Sequence, residues 1–474
     1  MTPVDPDAAV ATSADRASGD AGNNGGGTGA RRRMPVASAD AYETLRQEVL
    51  RAIRDRKVDL SDEERVKQLV REHVNAYQTQ AKSGLGGRAL ADLDAMVNRL
   101  WTSIYEYGPL TPLLMGKEVY EEIFVRGGDV GYIDHDGRLA MLDEPVDEIE
   151  VRSHIEKLLG EAGIAVDETQ PMVQGQVLGG RARLSAVIPP ISDRLDVTIR
   201  RYVLRRESLP ELVEWGAIDN AAASLLAACM QIPTGILVTG QPGSGKTSLV
   251  NAMLRAAPPA LRVICCEDTP ELQVGHLNAS QWRTRPSRPD GTGEVGLRDL
   301  VRQALGMRPD VIVVGEVRGA EAYELTRAGN AGCGMISTVH ANGAREGLQA
   351  LASTAIMAGQ NVPADQVRAV FSAIVDLVVH LDRESIALKR QGEGRIRRQV
   401  MEIAAVPSVQ SVHGDFAVEP LFVRQGFDAP LMWTGAPLPE PLTVRLDRAL
   451  KHRGVTVQQL LDGTKSLLES VGVQ

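Results

Sequence analysis

Apolar positions along this chain recur with two different periods, and the change between them divides it. Leu45, Val49, Leu50 and Ile53 fall at helical spacing, as do Val66, Leu69, Val70 and Val74, and again Leu93, Met96, Val97 and Leu100. That spacing predicts amphipathic helices. KSGLGGR at 82–88 marks the turn before the last of them. Residues 40–107 therefore read as a three-helix N-terminal module. From 108 to 205 short β-like runs take over: VYEEIFV, VGYID, ARLSAVI and DVTIRRY, some separated by the turns Gly127-Gly128 and Asp136-Gly137. One helix near Val151–Ala162 interrupts them, so this stretch reads as a small α+β domain. The polar, Pro-containing segment VLRRESLPELVEWGAI comes next and reads as a linker, centred on 206–212.

From 213 to 405 the pattern changes once more. GILVTG, RVICCED and DVIVVGE are apolar runs without alternation, each followed by a loop or a helix-like stretch. Strands buried on both faces have that composition, and their alternation with helices is the mark of a parallel α/β sheet. Residues 406–474 hold a Pro-rich segment, APLPEPL, and one or two final amphipathic helices, with no chemical reading of their own. Residues 1–39, with GNNGGGTGARRR, lack the apolar surface to offset the entropy of ordering and read as a disordered tail. Its Arg31, Arg32 and Arg33 read as a solvated basic cluster.

Composition narrows the picture. The chain has 474 residues, a net charge of −9 and 43% hydrophobic residues, enough apolar material for a sizeable core. A negative balance argues against a general electrostatic grip on nucleic acid, which needs a Lys/Arg surplus. No apolar run reaches the length of a membrane-spanning helix, and the N-terminus has no basic region followed by an apolar core. Cys229, Cys265, Cys266 and Cys333 form no CxxC pair and stand among apolar or small residues. They read as reduced thiols of a cytosolic protein rather than zinc ligands.

The strongest chemical signal is Gly240-Gln241-Pro242-Gly243-Ser244-Gly245-Lys246-Thr247, a full GxxxxGK[ST] phosphate loop. An apolar strand precedes it and a helix-like run beginning at Ser248 succeeds it. Glycines let main-chain N–H groups curl around a β-phosphate, and the helix N-terminus adds positive potential. Lys246 then bridges β- and γ-phosphates and Thr247 ligates Mg²⁺. Downstream, the strand 311–314 ends at Gly315-Glu316, which sets Glu316 beside a γ-phosphate to polarise water or hold the Mg²⁺ shell. EDTPEL at 267–272 comes directly after another strand, with Glu267 its best candidate for catalysis or metal. Ser337–Asn342 ends a further strand, and His340 there is suited to hydrogen-bond or relay a γ-phosphate. Arg283 and Arg285 lie between these boxes and have the character of arginine fingers; Arg318 fits a sensing role. Arg183, Arg200 and Arg201 can close on nucleotide from the preceding domain.

These boxes, in this order, resemble the secretion ATPases of the type II, type IV pilus and type IV secretion superfamily, and most nearly the CpaF/TadA branch that drives tight-adherence (Flp-type) pilus assembly. YGPLTPLL at 107–114, LSAVIPP at 184–190, VTIRRY at 197–202 and the stretches at 240–253 and 267–272 carry the likeness. So do STVHAN at 337–342 and GEVGLRDLVRQALGMRPDVIVVGEVRGAEA at 293–322, which is far longer than a nucleotide motif needs. The resemblance implies an α/β fold: a RecA-like P-loop motor domain preceded by a small α+β domain and the helical module. It implies a homo-hexamer that hydrolyses ATP with Mg²⁺ and passes domain motion to an inner-membrane platform protein, from the cytoplasmic side. Carried over by position, Gly240 to Ser248 and Arg200 bind nucleotide, and Thr247, Glu267 and Glu316 serve the metal. Glu316 and Glu267 are then the catalytic acids, His340 the His-box residue, and Arg283 and Arg285 the phosphate clamp.

The chain departs from the pattern at several points. Gln241-Pro242 stand where the family often has Gly-Thr, AGNAGCGMISTVHANG replaces a TGHDGSLSTIHAN-like run, Ser185 replaces a common Asn, and no tetracysteine module is present. Two rival readings use the same core: a nucleic-acid translocase of a conjugation system, and an ATP-binding regulatory scaffold with little hydrolysis. The charge balance disfavours the first, and the intact Lys246, Thr247 and Glu316 disfavour the second.

Overall fold

The computed structural model describes residues 37–59, 62–85, 87–116, 120–134, 138–142, 146–201, 207–275, 278–285, 287, 292–358, 363–387, 394–408 and 415–468, with no side chains given for 37–40, 385–387 and 394–395. The tail read over 1–39, with its three arginines, lies outside the described residues up to position 36. The chain divides into two units, Met1–Glu106 and Tyr107–Gln474.

The first unit holds three helices, α1 (Ala37–Asp55), α2 (Glu63–Lys82) and α3 (Leu93–Tyr105). Asp62 and Asp92 cap the second and third, each carboxylate accepting a main-chain N–H three residues on. The apolar stripes read from the sequence meet here: Leu45, Val49, Leu69, Val70, Val74 and Leu100 are all buried in one cluster.

The second unit opens with a 3-10 turn at Gly108–Leu110 and α4 (Thr111–Met115). Next come β1 (Tyr120–Arg126), β2 (Asp129–Asp134), β3 (Leu139–Met141), α5 (Glu148–Glu161), β4 (Met172–Val177), β5 (Ala182–Val187) and β6 (Asp196–Arg201). The six strands form one antiparallel sheet in the order β3-β2-β1-β6-β5-β4. Alternate residues of the central strands, such as Ile123 and Val125, Leu184 and Ala186, Val197 and Ile199, share a core with Val151, Ile155, Leu158 and Leu159 of α5.

α6 (Leu209–Glu214) lies in the stretch read as a linker. Leu209 and Leu212 are buried in the same core as the larger, C-terminal sheet, so the second half of 206–212 is packed structure rather than a tether. Pro210 sits in the first helical turn, where its missing N–H is not needed.

The chain continues through α7 (Asn220–Cys229), β7 (Gly235–Gly240), α8 (Lys246–Arg255), β8 (Val263–Glu267), β9 (Ala279–Arg283) and α9 (Leu297–Leu305). Then come β10 (Val311–Val314), α10 (Glu321–Asn330), β11 (Gly334–Val339), α11 (Ala344–Met357), α12 (Ala364–Ile374), β12 (Leu377–Ala387) and β13 (Gly394–Ala405). β14 (Glu419–Arg424), β15 (Leu431–Trp433), α13 (Glu440–Leu450), a 3-10 turn at Lys451–Arg453 and α14 (Val457–Leu461) complete it. One sheet runs β15-β14-β13-β12-β7-β11-β10-β8-β9. The segment from β12 to β9 is parallel, and β13 to β15 add antiparallel strands at the far side.

The strands β7, β8, β10 and β11 are buried along their whole length. Ile236, Val238, Val263, Cys265, Val311 and Val313 face α7 and α8, whereas Leu237, Ile264, Cys266, Ile312 and Val314 face α9 to α12. A parallel sheet covered on both sides, with its first strand, β7, between its last two, β11 and β12, is the RecA-like arrangement. Among the described residues after 405, Leu421, Phe422, Leu442, Leu446, Leu450, Leu460 and Leu461 join the same core as α7 and α8. The four cysteines are free, three of them buried. No described helix is long and apolar enough to cross a membrane.

Candidate functional site

The ends of β7, β8, β10 and β11 lie along one edge of the sheet, where open α/β sheets collect ligands. A cleft of about 590 Å³ opens there. Its floor is the loop between β7 and α8, and its other wall carries Glu121, Glu122, Ile133, Arg183, Arg200 and Arg201 of the six-stranded sheet.

The loop needs its glycines. Gly243 and Gly245 take φ of +74° and +94°, and a Cβ on Gly240 would stand 2.3 Å from the Leu381 carbonyl oxygen. Lys246 then opens α8 and turns back across the loop. Its ammonium donates to the carbonyls of Gly240 at 3.0 Å and Gln241 at 3.1 Å, and to Nδ1 of His340 at 3.1 Å. The same Nδ1 lies 3.2 Å from the Gly240 carbonyl oxygen, so a ring proton there serves the carbonyl and a ring proton on Nε2 leaves Nδ1 to accept from the lysine. Nε2 stands 2.9 Å from Oε1 of Glu316. Arg318 closes the chain with a fork onto both Glu316 oxygens, at 2.6 and 2.5 Å. Lys246, His340, Glu316 and Arg318 thus form one continuous polar row.

The electrostatics derive from that row. Burial pushes the Lys246 ammonium down to about 8, with Glu316 working the other way. Burial also works to raise the Glu316 carboxyl, but Arg318, His340 and Lys246 together hold it below the ordinary carboxylate range. Glu267 is the opposite case. It is 2% exposed, and burial lifts its carboxyl to about 7 against two main-chain donors, the N–H groups of Glu271 and Leu272 at 2.9 Å each. Its second oxygen, Oε2, has no hydrogen-bond partner among the described residues. Glu267 therefore shapes the 267–272 turn, and the turn delivers Glu271: the Thr247 hydroxyl donates to Glu271 Oε2 at 3.0 Å.

The cleft brings together Pro242, Gly243, Gly245, Lys246, Thr247, Ser248, Glu267, Glu316, His340 and Arg200. Arg183 and Arg201 line it too, and Gly240, Gln241 and Ser244 belong to the loop beneath. Arg283 and Arg285 do not line it. They are exposed on and just beyond β9, at the sheet edge, where Arg285 pairs with Val295. Sequence reasoning did not single out the charged lining residues Glu121, Glu122, Glu207, Arg383 and Arg398. The two arginines come from the β12–β13 pair, more than a hundred residues after the loop, and no motif marks them.

The donor set suits a divalent cation and a polyphosphate. Thr247 Oγ1 and Glu271 Oε2 are hard oxygens side by side, as Mg²⁺ requires, next to a lysine and a glycine loop that suit phosphate.

Comparison with known proteins fits this geometry. The family described as Type II/IV secretion system protein matches residues 109–413, and the chain belongs to it. Among relatives, a Mycobacterium tuberculosis protein provisionally named for conjugal transfer is 36% identical over 326 residues, 65% of this chain and 92% of that one. Conjugal transfer protein TrbB of Rhizobium radiobacter is 32% identical over 241 residues, covering 50% of this chain and 69% of TrbB. Among solved structures, the VirB11 ATPase of the Brucella suis type IV secretion system shares 22% identity over 65% of this chain and 98% of its own, with a TM-score of 0.32. The Legionella pneumophila ATPase DotB shares 16% over 77% and 86%, with a TM-score of 0.42. The fold assignment rests on the strand order, not on these two likenesses.

Proposed function

We propose that this chain is an ATP-hydrolysing motor. It works as a homo-hexamer, powering tight-adherence pilus assembly or protein secretion through an inner-membrane platform protein, on whose cytoplasmic side it sits. The observation that carries the reading is the convergence of Lys246, Thr247, Glu316 and His340, from three separate stretches of sequence, on one cleft. Lys246 has its charge available for the β- and γ-phosphates once it leaves the Gly240 and Gln241 carbonyls. Thr247, with Glu271 and the neighbouring Glu267, would hold Mg²⁺, which when bound neutralises charge on the phosphates. Glu316 orients the attacking water. The water's oxygen bonds to the γ-phosphorus as the bond to the β–γ bridging oxygen breaks, and the Glu316 carboxylate takes the proton that the water loses, giving ADP and phosphate. Arg200, and Arg183 beside it, meet the nucleotide from the small sheet. Arg283 and Arg285, exposed at the edge of the large sheet, serve the cleft of a neighbouring subunit, so turnover depends on assembly.

The test is phosphate release with Mg²⁺ for wild type and Glu316→Gln, alongside nucleotide binding. Turnover in wild type, lost in the variant with binding retained, supports the motor. Binding without turnover even in the presence of membranes that carry the platform protein favours the scaffold. The relatives named for conjugal transfer give the translocase reading one specific support, and stimulation of turnover by single-stranded DNA is its signature.

A further inference from the structure

The register of β12 on β13 sets Arg383 directly opposite Arg398. Residues so paired project from one face, and like charges there are destabilising. In this molecule that face looks onto the phosphate loop. Nη1 of Arg383 lies 2.9 Å from where a Cβ on Gly243 would stand, and Nε of Arg398 donates to the Gly243 carbonyl at 3.0 Å. Two guanidinium groups held together against a loop of this kind call for an anion.

One anion is supplied by the chain itself. Nη1 and Nη2 of Arg398 donate to the two carboxylate oxygens of Glu121 at 3.1 and 2.6 Å, a half-buried fork between the large sheet and β1 of the small one. Two irregularities aim these side chains at each other. The β1–β2 register slips between Tyr120 and Glu122, leaving Glu121 as the extra residue. The β12–β13 register slips between His380 and Leu381, which leaves Met401 as the extra residue a few positions beyond Arg398. Bulges of this kind bend a strand and redirect its side chains. Arg383 has no counterpart to Glu121: its guanidinium makes no hydrogen bond or ion pair among the described residues.

We propose that Arg383 and Arg398 form an anion-binding pair for the phosphates of the bound nucleotide, and that Arg398 links occupancy of the phosphate loop to the small sheet through Glu121. The inference rests on the nucleotide reading above. Phosphate drawn to the pair competes with Glu121 for Arg398. Filling the loop therefore loosens the fork and releases β1, and an empty loop restores it. Both arginines are direct phosphate contacts in this scheme, and Arg398 alone also carries the link to β1.

The full-length protein decides the matter with two readouts: affinity for N-methylanthraniloyl-ADP with Mg²⁺, and hydrogen exchange across 120–126 with and without that ligand. Wild type is expected to bind and to exchange faster at β1 when loaded. Arg383→Gln should weaken binding about five- to tenfold, the loss of one charge-assisted contact, while keeping the exchange response. Glu121→Gln should bind about threefold tighter, since a competing carboxylate is gone, and its β1 exchange should no longer respond to ligand. Arg398→Gln should lose both affinity and response. If Arg398→Gln melts early and cannot be used, the other two variants decide. Wild-type affinity in Arg383→Gln, weaker binding in Glu121→Gln, or a ligand response surviving in Glu121→Gln overturns the proposal. Wild type that binds without any change at β1 overturns the coupling alone. Wild type that does not bind overturns the nucleotide reading with it.

Discussion

Lys246 is held by two carbonyls and an imidazole, and each of those partners is a group that a phosphate would displace. The same is true of Glu316, whose oxygens are engaged by Arg318 and His340 until a ligand draws the cations away. Glu316→Gln should therefore lower turnover at least about a hundredfold, the usual scale for losing a group that handles the water's proton, and leave nucleotide affinity near wild type. Phosphate release and equilibrium binding on one preparation check both halves. Glu267 yields a stability prediction. Its carboxyl sits at about 7 in the folded chain, above the ordinary value of an unfolded glutamate. The folded state therefore binds the extra proton, and stability falls as pH rises from the unfolded to the folded value and stays lower above it. Glu267→Gln keeps an acceptor for the Glu271 and Leu272 N–H groups. It should stabilise the protein at pH 8 by on the order of 2 kcal/mol and flatten the pH dependence below 7, as urea melts across that range will show. The boxes themselves were legible because each closes an apolar run, and strand ends gather at one edge. Which acid of EDTPEL meets Thr247 was not legible, because it depends on how the turn folds back on its own N–H groups. Arg383 and Arg398 were hidden for a related reason: opposition across a hairpin leaves no spacing to read.

At the scale of elements, the uninterrupted apolar runs announced β7, β8 and β10, and the helical stripes announced α1 to α3. Periodicity could not announce partnership. The two amphipathic helices after 435 carry ordinary patterns, yet they close the core over α7 instead of standing apart. Leu446, fully buried in α13, tests this. Leu446→Ala should cost about 3 kcal/mol, the usual loss for an emptied leucine site, and should lower the unfolding midpoint of the nucleotide-binding body in a single calorimetric transition. A separate low-temperature transition would show the C-terminal segment to be independent. Gly235 at the head of β7 is equally constrained. A Cβ there would stand 1.8 Å from the Ile374 carbonyl oxygen, with no flexible side chain to yield. Gly235→Ala should therefore destabilise by about 2–3 kcal/mol, measurable by denaturant unfolding.

On the scale of the whole molecule, the cleft is walled by two sheets of opposite character. The parallel one presents its strand ends to the ligand; the antiparallel one presents a face with Glu122, Arg183 and Arg200. A ligand bound there touches both. Because Arg283 and Arg285 lie away from this cleft, the assembly reading makes a distinct demand: turnover per subunit should rise with protein concentration and level off once rings form. Phosphate release measured against oligomer size by light scattering will show this, and a flat profile across the assembly range refutes shared sites.

The large sheet also has two outer edges, and their make-up bears on solubility. An exposed strand edge offers a row of free N–H and C=O groups on which another chain can grow. Here one edge ends in β15, three residues long, and the other in β9, which carries Arg283 and is followed by Arg285. Brevity at one end and charge at the other make both poor templates for a foreign strand. Copies of this chain can then meet at high local concentration through their side chains, without their sheets fusing into fibrils.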